Sequence, residues 1–370
     1  MNILILSCDT GAGHNTTGLA VLEELKRRGH HAKMKDPFQL SQSLIARNIG
    51  AFYVKIVQRH PRLFGLAYRL GMLVTKMPFL SPVYYANGLM ADHMERYLSD
   101  NPTDIIVAPH LYPAEILTYM KRHHIACPKL LFIATDYACI PFTEETDCDY
   151  YVIPHESLTK SFTKRGIPPE KLKPFGIPVR SAFTRNLTKA EARKQLGLSL
   201  HDVCYLVMGG SMGAGKVKQI VAYLAANRQE NEQIIVICGN NAALGKSLLN
   251  RYGAVAGVTV LGATRQMALY MYACDLLYSK PGGLTSTEAA VVGIPLVHTA
   301  PIPGCETINR AFFQKHGMSI SAKQAKQQAA LGRRLLHSPK ALHEMKKQQN
   351  AFTYKDSVMK ICDLIEEMGR

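Results

Sequence analysis

Apolar and polar positions follow one pattern that occurs in both halves of the chain. Residues 2–7 are mostly apolar, a glycine-containing loop follows, residues 17–29 have the spacing of an amphipathic helix, and 30–36 resemble a second strand. This order is typical of a β-α-β unit. It recurs over residues 201–240, where a second fold of the same kind is predicted to begin.

Other apolar runs alternate with helical patterns, which is typical of parallel sheets covered by helices on both faces. These runs lie at residues 104–108, 129–135, 150–154, 258–262, 275–280 and 294–299. The sequence therefore predicts an α/β protein with two Rossmann-like, doubly wound domains that face each other across a cleft.

A stretch rich in proline and glycine, residues 166–180, predicts the domain boundary, because each proline there discourages a continuous helix or strand. We expect an N-terminal domain over residues 1–178 and a C-terminal domain over 179–370. Helical periodicity near the C-terminus predicts helices on the surface of the fold. The last of them, about residues 352–370, is expected to cross back to the N-terminal domain.

The charge of the chain favours a polyanionic partner. Its 44 lysines and arginines exceed its 28 acidic residues by 16, which fits nucleic acid, an anionic membrane face or phosphate. No recognition helix or RNP-type aromatic stretch supports nucleic acid, which is therefore not expected.

Cysteine usage and hydropathy predict a cytosolic protein without a spanning helix. The nine cysteines are scattered and contain no C-x-x-C pair, which indicates reduced thiols. Residues 3–6 lack the preceding basic stretch of a signal peptide. The best apolar stretch, 63–74, is broken by Arg69 and is shorter than the roughly 18 residues that a spanning helix needs.

An insertion between the second and third strands, residues 37–99, is basic and contains aromatic residues and methionines. Amphipathic material of this kind lies on anionic bilayers, but helices that only cover the sheet are an equally good interpretation. The basic residues are Arg47, Lys55, Arg59, Arg62, Arg69, Lys76 and Arg96, against the two acids Asp92 and Glu95.

The first glycine loop places a histidine at the start of a helix. Gly11 and Gly13 let the backbone turn sharply after the first strand, and the helix N-terminus offers unpaired NH groups for an anion. A dinucleotide-binding loop needs glycine where this chain has Thr16. His14 is placed to accept a proton from a hydroxyl group near neutral pH, and helix capping is the structural alternative.

The second loop, from Gly210 to Lys216, follows a strand and matches the G-x-x-x-x-G-K pattern of phosphate-binding loops. The next residue is Val217, which has no hydroxyl group for magnesium. Nucleotide hydrolysis of the P-loop type is therefore not expected. The loop is predicted to hold a diphosphate on its backbone NH groups.

Residues 279–290, SKPGGLTSTEAA, form the most distinctive segment. A Gly-Gly turn after an apolar strand leads into a helix whose first turns carry hydroxyl groups and a carboxylate. Thr285, Ser286 or a backbone NH can reach a phosphate, and Glu288 can accept from two ribose hydroxyls. The segment predicts a pocket for a sugar diphosphate, with a capped helix and a solvated acid as the structural alternative.

Glu306 and Asn309 lie three residues apart, on one face if their segment is helical. Together they can bind sugar hydroxyls. No metal site is predicted. Asp147 and Asp149 form a D-x-D pair that precedes a strand instead of ending one, and consecutive histidines have side chains that diverge.

Six segments in order now show a family resemblance that covers nearly the whole chain. They read SCDTGAGH, TDYACIPF, FGIPVR, MGGSMGAGK, SKPGGLTSTEA and PIPGCETIN. The chain resembles the monogalactosyldiacylglycerol synthases and bacterial diacylglycerol glucosyltransferases, which are relatives of the lipid-II-forming GlcNAc transferase. The resemblance implies the GT-B architecture, with acceptor and membrane contacts on the N-terminal domain and the UDP-sugar mainly on the C-terminal one.

By this resemblance His14 is the base that deprotonates the acceptor, and Asp136 orients it. Gly11, Gly13 and His110 are expected to contact the acceptor. The residues expected to bind the donor are Arg180 and the loop Gly210, Ser211, Met212 and Gly213 at the diphosphate, Ala263 and Met267 at the uracil, Thr285 at a phosphate, Glu288 at the ribose, Glu306 and Asn309 at the sugar, and in addition Asn240, Lys280, Gly282, Gly283 and Leu284.

Two departures from the family pattern are visible. Relatives usually read G-G-G-H-R in the first loop, where this chain has Ala12 and Asn15. Many relatives carry glutamine where this chain has Cys305. The second departure lies in the segment that reads the sugar, so the choice between glucose and galactose stays open.

The predicted function is inverting transfer of a hexose from UDP-glucose or UDP-galactose to 1,2-diacylglycerol, without a further cofactor. The protein is expected to be cytoplasmic and peripheral on the inner face of the cell membrane, at an anionic surface. The alternative is an enzyme like UDP-GlcNAc 2-epimerase, which shares the architecture and has a soluble substrate. An NAD-dependent dehydrogenase would leave residues 279–289 unexplained.

Overall fold

The structure is a computed structural model that describes residues 1–8, 12–40, 61–75, 77 and 79–370. Gly11 and much of the basic insertion, including Arg47, Lys55, Arg59 and Lys76, lie outside the described residues, as does the side chain of Arg62. The chain divides into two compact units. The first comprises Met1–Arg180, Pro303–Cys305 and Tyr354–Arg370, and the second comprises Ser181–Ile302 and Glu306–Thr353.

The described strands are β1 Asn2–Leu6, β2 His31–Lys35, β3 Ile105–Ala108, β4 Lys129–Ile133, β5 Tyr150–Val152, β6 Leu172–Lys173, β7 Val203–Met208, β8 Glu232–Ile237, β9 Val258–Leu261, β10 Leu276–Ser279, β11 Leu296–His298 and β12 Ile320–Ser321. The described helices are α1 Ala12–Arg27, α2 Pro61–Val74, α3 Pro82–Gly88, α4 Ala91–Asp100, α5 Leu111–Arg122, α6 Thr159–Thr163, α7 Lys189–Leu196, α8 Val217–Ala226, α9 Ala242–Tyr252, α10 Met267–Ala273, α11 Gly283–Val292, α12 Cys305–Lys315, α13 Ala325–Leu336, α14 Pro339–Phe352 and α15 Ser357–Met368.

Both units contain a parallel sheet. The order is β2-β1-β3-β4-β5-β6 in the first unit and β12-β11-β10-β7-β8-β9 in the second. Ile3 pairs with Ile105 across β1 and β3, and Leu276 pairs with Tyr205 across β10 and β7. The predicted α/β class with two doubly wound parallel sheets is therefore confirmed.

The strand order explains where the glycine loops lie. The order reverses beside β1 in the first unit and beside β7 in the second. In open α/β sheets, ligands bind beyond the carboxyl ends of the strands at such reversals. The loops after β1 and β3, and those after β7 and β10, flank these two points.

The C-terminal helix α15 is part of the core of the first unit. Ile361, Cys362 and Ile365 are completely buried together with Ile5 and Val107 of the sheet. The apolar face of an amphipathic helix has to be covered, and here the sheet covers it. The opposite face of α15 is exposed, as Met359 at 42% exposure shows, so the helix covers the sheet from the surface of the unit.

Candidate active site

His14 lies in the first turn of α1, at the strand-order reversal of the first unit. Its Nδ1 atom is 2.9 Å from the carbonyl oxygen of Pro109 and 2.9 Å from the hydroxyl oxygen of Thr135. A carbonyl oxygen can only accept a hydrogen bond, so Nδ1 carries the proton. The neutral imidazole therefore has its lone pair on Nε2, the atom available to a general base.

The surroundings of His14 keep this imidazole neutral. Burial lowers the pKa of His14 below its ordinary value, while the Asp136 carboxylate and the hydrogen bond to Pro109 oppose that shift. Asp136 thus acts on His14 through its charge. The atoms that hold the ring by hydrogen bonds belong to Pro109 and Thr135, which the sequence analysis did not include.

A second histidine stands beside the first. The ring of His110 meets the ring of His14 edge to face, with 4.4 Å between the centroids. His110 caps α5, and its Nδ1 accepts from the backbone NH of Tyr112 at 3.2 Å. Burial, and then the neighbouring His14, lower the pKa of His110 well below its ordinary value. The structure therefore brings together His14, His110 and Asp136.

These residues line a narrow recess with room for about one water molecule. Besides His14 and Asp136, its walls include the apolar side chains of Phe132, Ile140 and Phe162. Polar side chains therefore stand beside apolar walls at this recess.

The structure gives less information on the site roles of two other predicted residues of the first unit. Gly13 lies in the first turn of α1 and is half-buried. Arg180 forms an ion pair with Glu23, with 2.7 Å between Nη2 and Oε1, and both side chains are 40% exposed. The other predicted donor residues belong to the second unit. The role of Arg180 at the diphosphate therefore stays a prediction.

In the second unit, the loop after β7 is closely packed around its glycines. Gly210 has φ +66°, and a Cβ atom there would lie 2.8 Å from Cε of Lys280. Gly213 has φ +58°, and a Cβ atom there would lie 2.7 Å from the carbonyl oxygen of Cys238. The NH of Asn240 donates to the carbonyl of Ser211 at 2.7 Å. Only glycine fits both positions without strain.

Lys280 also contacts the predicted sugar-binding helix. Its Nζ pairs with Oε1 of Glu306, and both side chains are largely buried. The other carboxylate oxygen of Glu306 accepts from the NH of Ile302 at 2.7 Å. Asn309 is completely buried and donates to the carbonyl of Pro281 at 3.1 Å. The predicted helical placement of Glu306 and Asn309 on one side of α12 is therefore observed.

Helix α11 begins at Gly283, directly after Gly282, as the motif predicted. Leu284 and Glu288 are buried, and Thr285 is half-buried. The Ser286 hydroxyl instead lies 2.9 Å from Nε2 of the buried His298. The suggestion that Ser286 can reach a phosphate was therefore wrong, because its side chain faces the sheet.

The sequence analysis did not select His298. Its Nδ1 lies 2.9 Å from the Ser319 hydroxyl, and its ring meets Phe313 of α12 edge to face at 5.3 Å. Burial lowers the pKa of His298 to about 3. His298 thus joins α11 and α12, the two helices that carry the predicted donor residues. The only sequence signal was a histidine in an otherwise apolar strand.

The remaining predicted donor residues follow the carboxyl ends of strands β7 and β9 in the second sheet. Met212 accepts a hydrogen bond from the Asn241 side chain at 3.2 Å through its carbonyl. Ala263 lies in the turn after β9, and Met267 is the first residue of α10. The contact of Ala263 and Met267 with a uracil stays a prediction.

The described residues include no helix long and apolar enough to cross a membrane. Across the same residues, no group of three or more histidines, cysteines, aspartates and glutamates has the arrangement of a metal site. The D-x-D carboxylates interact with lysines of the first unit instead. Asp147 pairs with Lys171 at 3.0 Å and Asp149 with Lys121 at 3.4 Å.

Comparison with known proteins agrees with this architecture. This chain is similar in fold to MurG in the crystal structure of the Acinetobacter baumannii protein. The TM-score is 0.63, and the two sequences are 15% identical over 99% of both chains. The fold is that of the GT-B glycosyltransferases.

Two family models cover most of the chain. Monogalactosyldiacylglycerol (MGDG) synthase matches residues 14–179, and glycosyl transferases group 1 matches residues 190–352. These matches agree with the resemblance to the MGDG synthases and diacylglycerol glucosyltransferases that the sequence analysis described.

Two relatives illustrate this similarity. The processive diacylglycerol beta-glucosyltransferase of Bacillus pumilus (strain SAFR-032) is 26% identical over 99% of this chain and 94% of its own length. The probable monogalactosyldiacylglycerol synthase 2 of Oryza sativa subsp. indica is 29% identical over 89% of this chain and 72% of its own length. These relatives favour a transferase over the epimerase alternative, which the fold alone leaves open.

Proposed function

We propose that this protein transfers a hexose from a UDP-sugar to the free hydroxyl group of 1,2-diacylglycerol, with inversion at the anomeric carbon. The observation that carries the proposal is the hydrogen bond between Nδ1 of His14 and the Pro109 carbonyl. It places the lone pair of a neutral imidazole on Nε2, beside a recess with apolar walls. The names of the relatives supply diacylglycerol as the acceptor and glucose or galactose as the transferred hexose.

In the proposed reaction Nε2 of His14 takes the proton of the acceptor hydroxyl as its oxygen attacks the anomeric carbon. The bond between that carbon and the β-phosphate oxygen breaks, and UDP leaves with the electron pair. General base catalysis of this kind contributes about 10²- to 10⁴-fold.

The second unit is proposed to stabilise the leaving diphosphate. The N-terminus of α11 follows the Gly282–Gly283 turn, and helix N-termini favour anions. The Lys280 side chain lies against Gly210 of the loop after β7, and its ammonium, which pairs with Glu306, is proposed to donate to the diphosphate as well. Glu306 and Asn309, which lie beside Lys280 and Pro281, are proposed to bind the hexose.

Helix α2 supports docking to an anionic membrane surface. Leu66, Leu70 and Leu73 share one side of the helix and are 54%, 52% and 55% exposed. Met77 and Phe79 follow the helix in sequence and are 53% and 60% exposed. Apolar groups of this kind enter the interfacial region of a bilayer, and the net charge of +16 favours an anionic one. We propose peripheral binding at the cytoplasmic face of the membrane.

The function is tested with labelled UDP-glucose and UDP-galactose, offered separately to the full chain with diacylglycerol in anionic vesicles. Label in the extracted lipid supports the proposal and identifies the hexose. The variant His14→Ala is expected to lose at least about 100-fold in rate while still binding UDP. His343→Ala, on the exposed side of α14, is the matched control. A His14→Ala rate within a few-fold of wild type would contradict the role of His14 as base.

Membrane docking is tested by vesicle flotation. Replacing Leu66, Leu70 and Leu73 together by serine removes about 1 kcal/mol each for half-exposed side chains, so vesicle affinity is expected to fall roughly 100-fold. Leu249→Ser, at a position 51% exposed in the second unit, is the control. Equal flotation of the triple variant and wild type would show that α2 does not dock.

A further inference from the structure

Tyr68 of α2 has a buried hydroxyl group without a described partner. Its Oη atom is inaccessible to solvent and makes no hydrogen bond with the residues that the structure describes. Buried polar atoms in folded proteins are nearly always hydrogen-bonded, and leaving one unpaired costs stability. An exception of this kind calls for a ligand or another explanation.

The ring of Tyr68 is held in place by close packing. Gly304 has φ +117°, and a Cβ atom there would lie 3.1 Å from Cγ and Cδ2 of Tyr68. Nearly one turn earlier in α2, a Cβ atom on Gly65 would lie 2.5 Å from Cβ of Pro303. Two glycines thus allow α2 and the segment Pro303–Cys305 to approach each other. The phenol is fixed by its surroundings and does not need its hydroxyl group for that purpose.

One of the titratable groups that act on the hydroxyl, Asp136, belongs to the proposed site, and another, Cys305, directly precedes a residue of that site. Burial raises the pKa of Tyr68 above its ordinary value, and the Cys305 thiol and the Asp136 carboxylate raise it further. The phenol is therefore a protonated donor under physiological conditions. Asp136 lines the recess of His14, and Cys305 directly precedes Glu306, which is proposed to bind the hexose.

We infer that the Tyr68 hydroxyl binds an alcohol oxygen of a substrate and positions it beside Asp136. This inference rests on the proposed function. Two sources have the required chemistry: a hydroxyl group of the transferred hexose, and the glycerol hydroxyl of the acceptor. In either case Tyr68 is a substrate-binding residue on the helix that is proposed to dock on the membrane.

The decisive variant is Tyr68→Phe, which removes one oxygen and leaves the packed ring. Removal of an unpaired buried hydroxyl is expected to leave the urea midpoint of unfolding unchanged or higher, because no internal hydrogen bond is lost. The rate of glycolipid formation is expected to fall about 10-fold, the equivalent of one hydrogen bond to substrate. Opposite effects on stability and on activity separate substrate binding from a structural role.

Two further tyrosines provide matched controls. Tyr151 is buried, and its Oη donates to the Thr146 carbonyl at 2.7 Å and accepts from the NH of Cys148 at 3.0 Å. Tyr151→Phe is therefore expected to lower the unfolding midpoint. Tyr85 is 57% exposed on α3, and Tyr85→Phe is expected to change neither stability nor rate.

Steady-state kinetics distinguish the two sources of the hydroxyl. A raised KM for the UDP-hexose, or a changed ratio of rates with UDP-glucose and UDP-galactose, assigns Tyr68 to the hexose. A raised KM for diacylglycerol alone assigns it to the acceptor. A Tyr68→Phe rate within twofold of wild type, or a loss of stability as large as that of Tyr151→Phe, overturns the inference.

Failure of the proposed function would be seen separately, as a wild-type protein that makes no glycolipid from either sugar. Tyr68 is then judged by titration of wild type and Tyr68→Phe with UDP-glucose, UDP-galactose and diacylglycerol vesicles. Weaker binding of one of these by the variant supports the inference, and equal affinities for all three overturn it.

Discussion

Acidification is expected to destabilise the second unit through His298. This imidazole is completely buried between the hydroxyl groups of Ser286 and Ser319. Burial lowers its pKa to about 3, whereas an unfolded chain has the ordinary value of about 6.5. Between these two values the unfolded state binds more protons than the folded state. The contribution of His298 to stability is therefore complete above pH 6.5 and is lost progressively as the pH falls toward 3.

The size of the effect follows from the two pKa values. One pKa unit corresponds to about 1.4 kcal/mol, so the 1.5 units between pH 6.5 and pH 5 correspond to about 2 kcal/mol. The free energy of unfolding of the wild type is expected to fall by this amount between pH 7 and pH 5, beyond the change contributed by other groups. The variant His298→Gln cannot become charged and lacks this part of the pH dependence.

Urea unfolding at pH 7 and pH 5 measures how the free energy of unfolding changes with pH in wild type and in His298→Gln. Circular dichroism follows the unfolding, because the chain has no tryptophan to report it by fluorescence. Hydrogen exchange of peptides that cover β10 and β11 assigns the change to the second unit. His201→Gln replaces an exposed histidine of the same unit and is the control.

Because His298 contacts α11 and α12, His298→Gln is also expected to raise KM for the UDP-hexose more than it lowers kcat. A buried neutral histidine has to make stability depend on pH. If wild type and His298→Gln lost the same free energy of unfolding between pH 7 and pH 5, the assignment of this pH dependence to His298 would be refuted.

Two other titrating groups lead to predictions of defined sign. Asp136→Asn removes the carboxylate that raises the pKa of His14, so the acidic inflection of kcat/KM against pH is expected to move to lower pH; an unchanged profile would count against a charge effect. Burial raises the pKa of Glu115 to about 8, so its contribution to stability falls as pH rises above about 4.5, by about 3 kcal/mol at pH 7. In urea titrations from pH 5 to pH 8, Glu115→Gln is expected to lose that decline, and a decline as steep as that of wild type would contradict the burial argument.

Local pattern was sufficient for the strands and the loops that end them. The apolar runs at β1 and β7 and the glycines that follow are adjacent in sequence, and their geometry depends on the backbone freedom of those same residues. Gly210 and Gly213 have the positive φ values that such a turn requires. The start of α11 at Gly283 was predictable for the same reason.

Side-chain direction was not predictable in this way. Thr285 and Ser286 are neighbours with similar hydroxyl groups, yet Ser286 faces His298. The helix face that meets the sheet decides this, and it depends on how α11 packs. The same limit applies to α15, whose burial in the first unit depends on a sheet far away in sequence. The assignment of acceptor and donor to the two domains stays a prediction.

By itself, the sequence determined the α/β class, the two glycine-loop units and the residue types of the proposed chemistry, because these depend on short-range periodicity and spacing. Only the tertiary structure decided the proton position on His14, since the partner that determines it is the backbone carbonyl of Pro109, which no side-chain pattern marks. It also left the Tyr68 hydroxyl buried without a described partner beside Gly304, a contact between segments more than two hundred residues apart in sequence. Burial and hydrogen-bond geometry arise from long-range packing, so they appear only when the chain is folded.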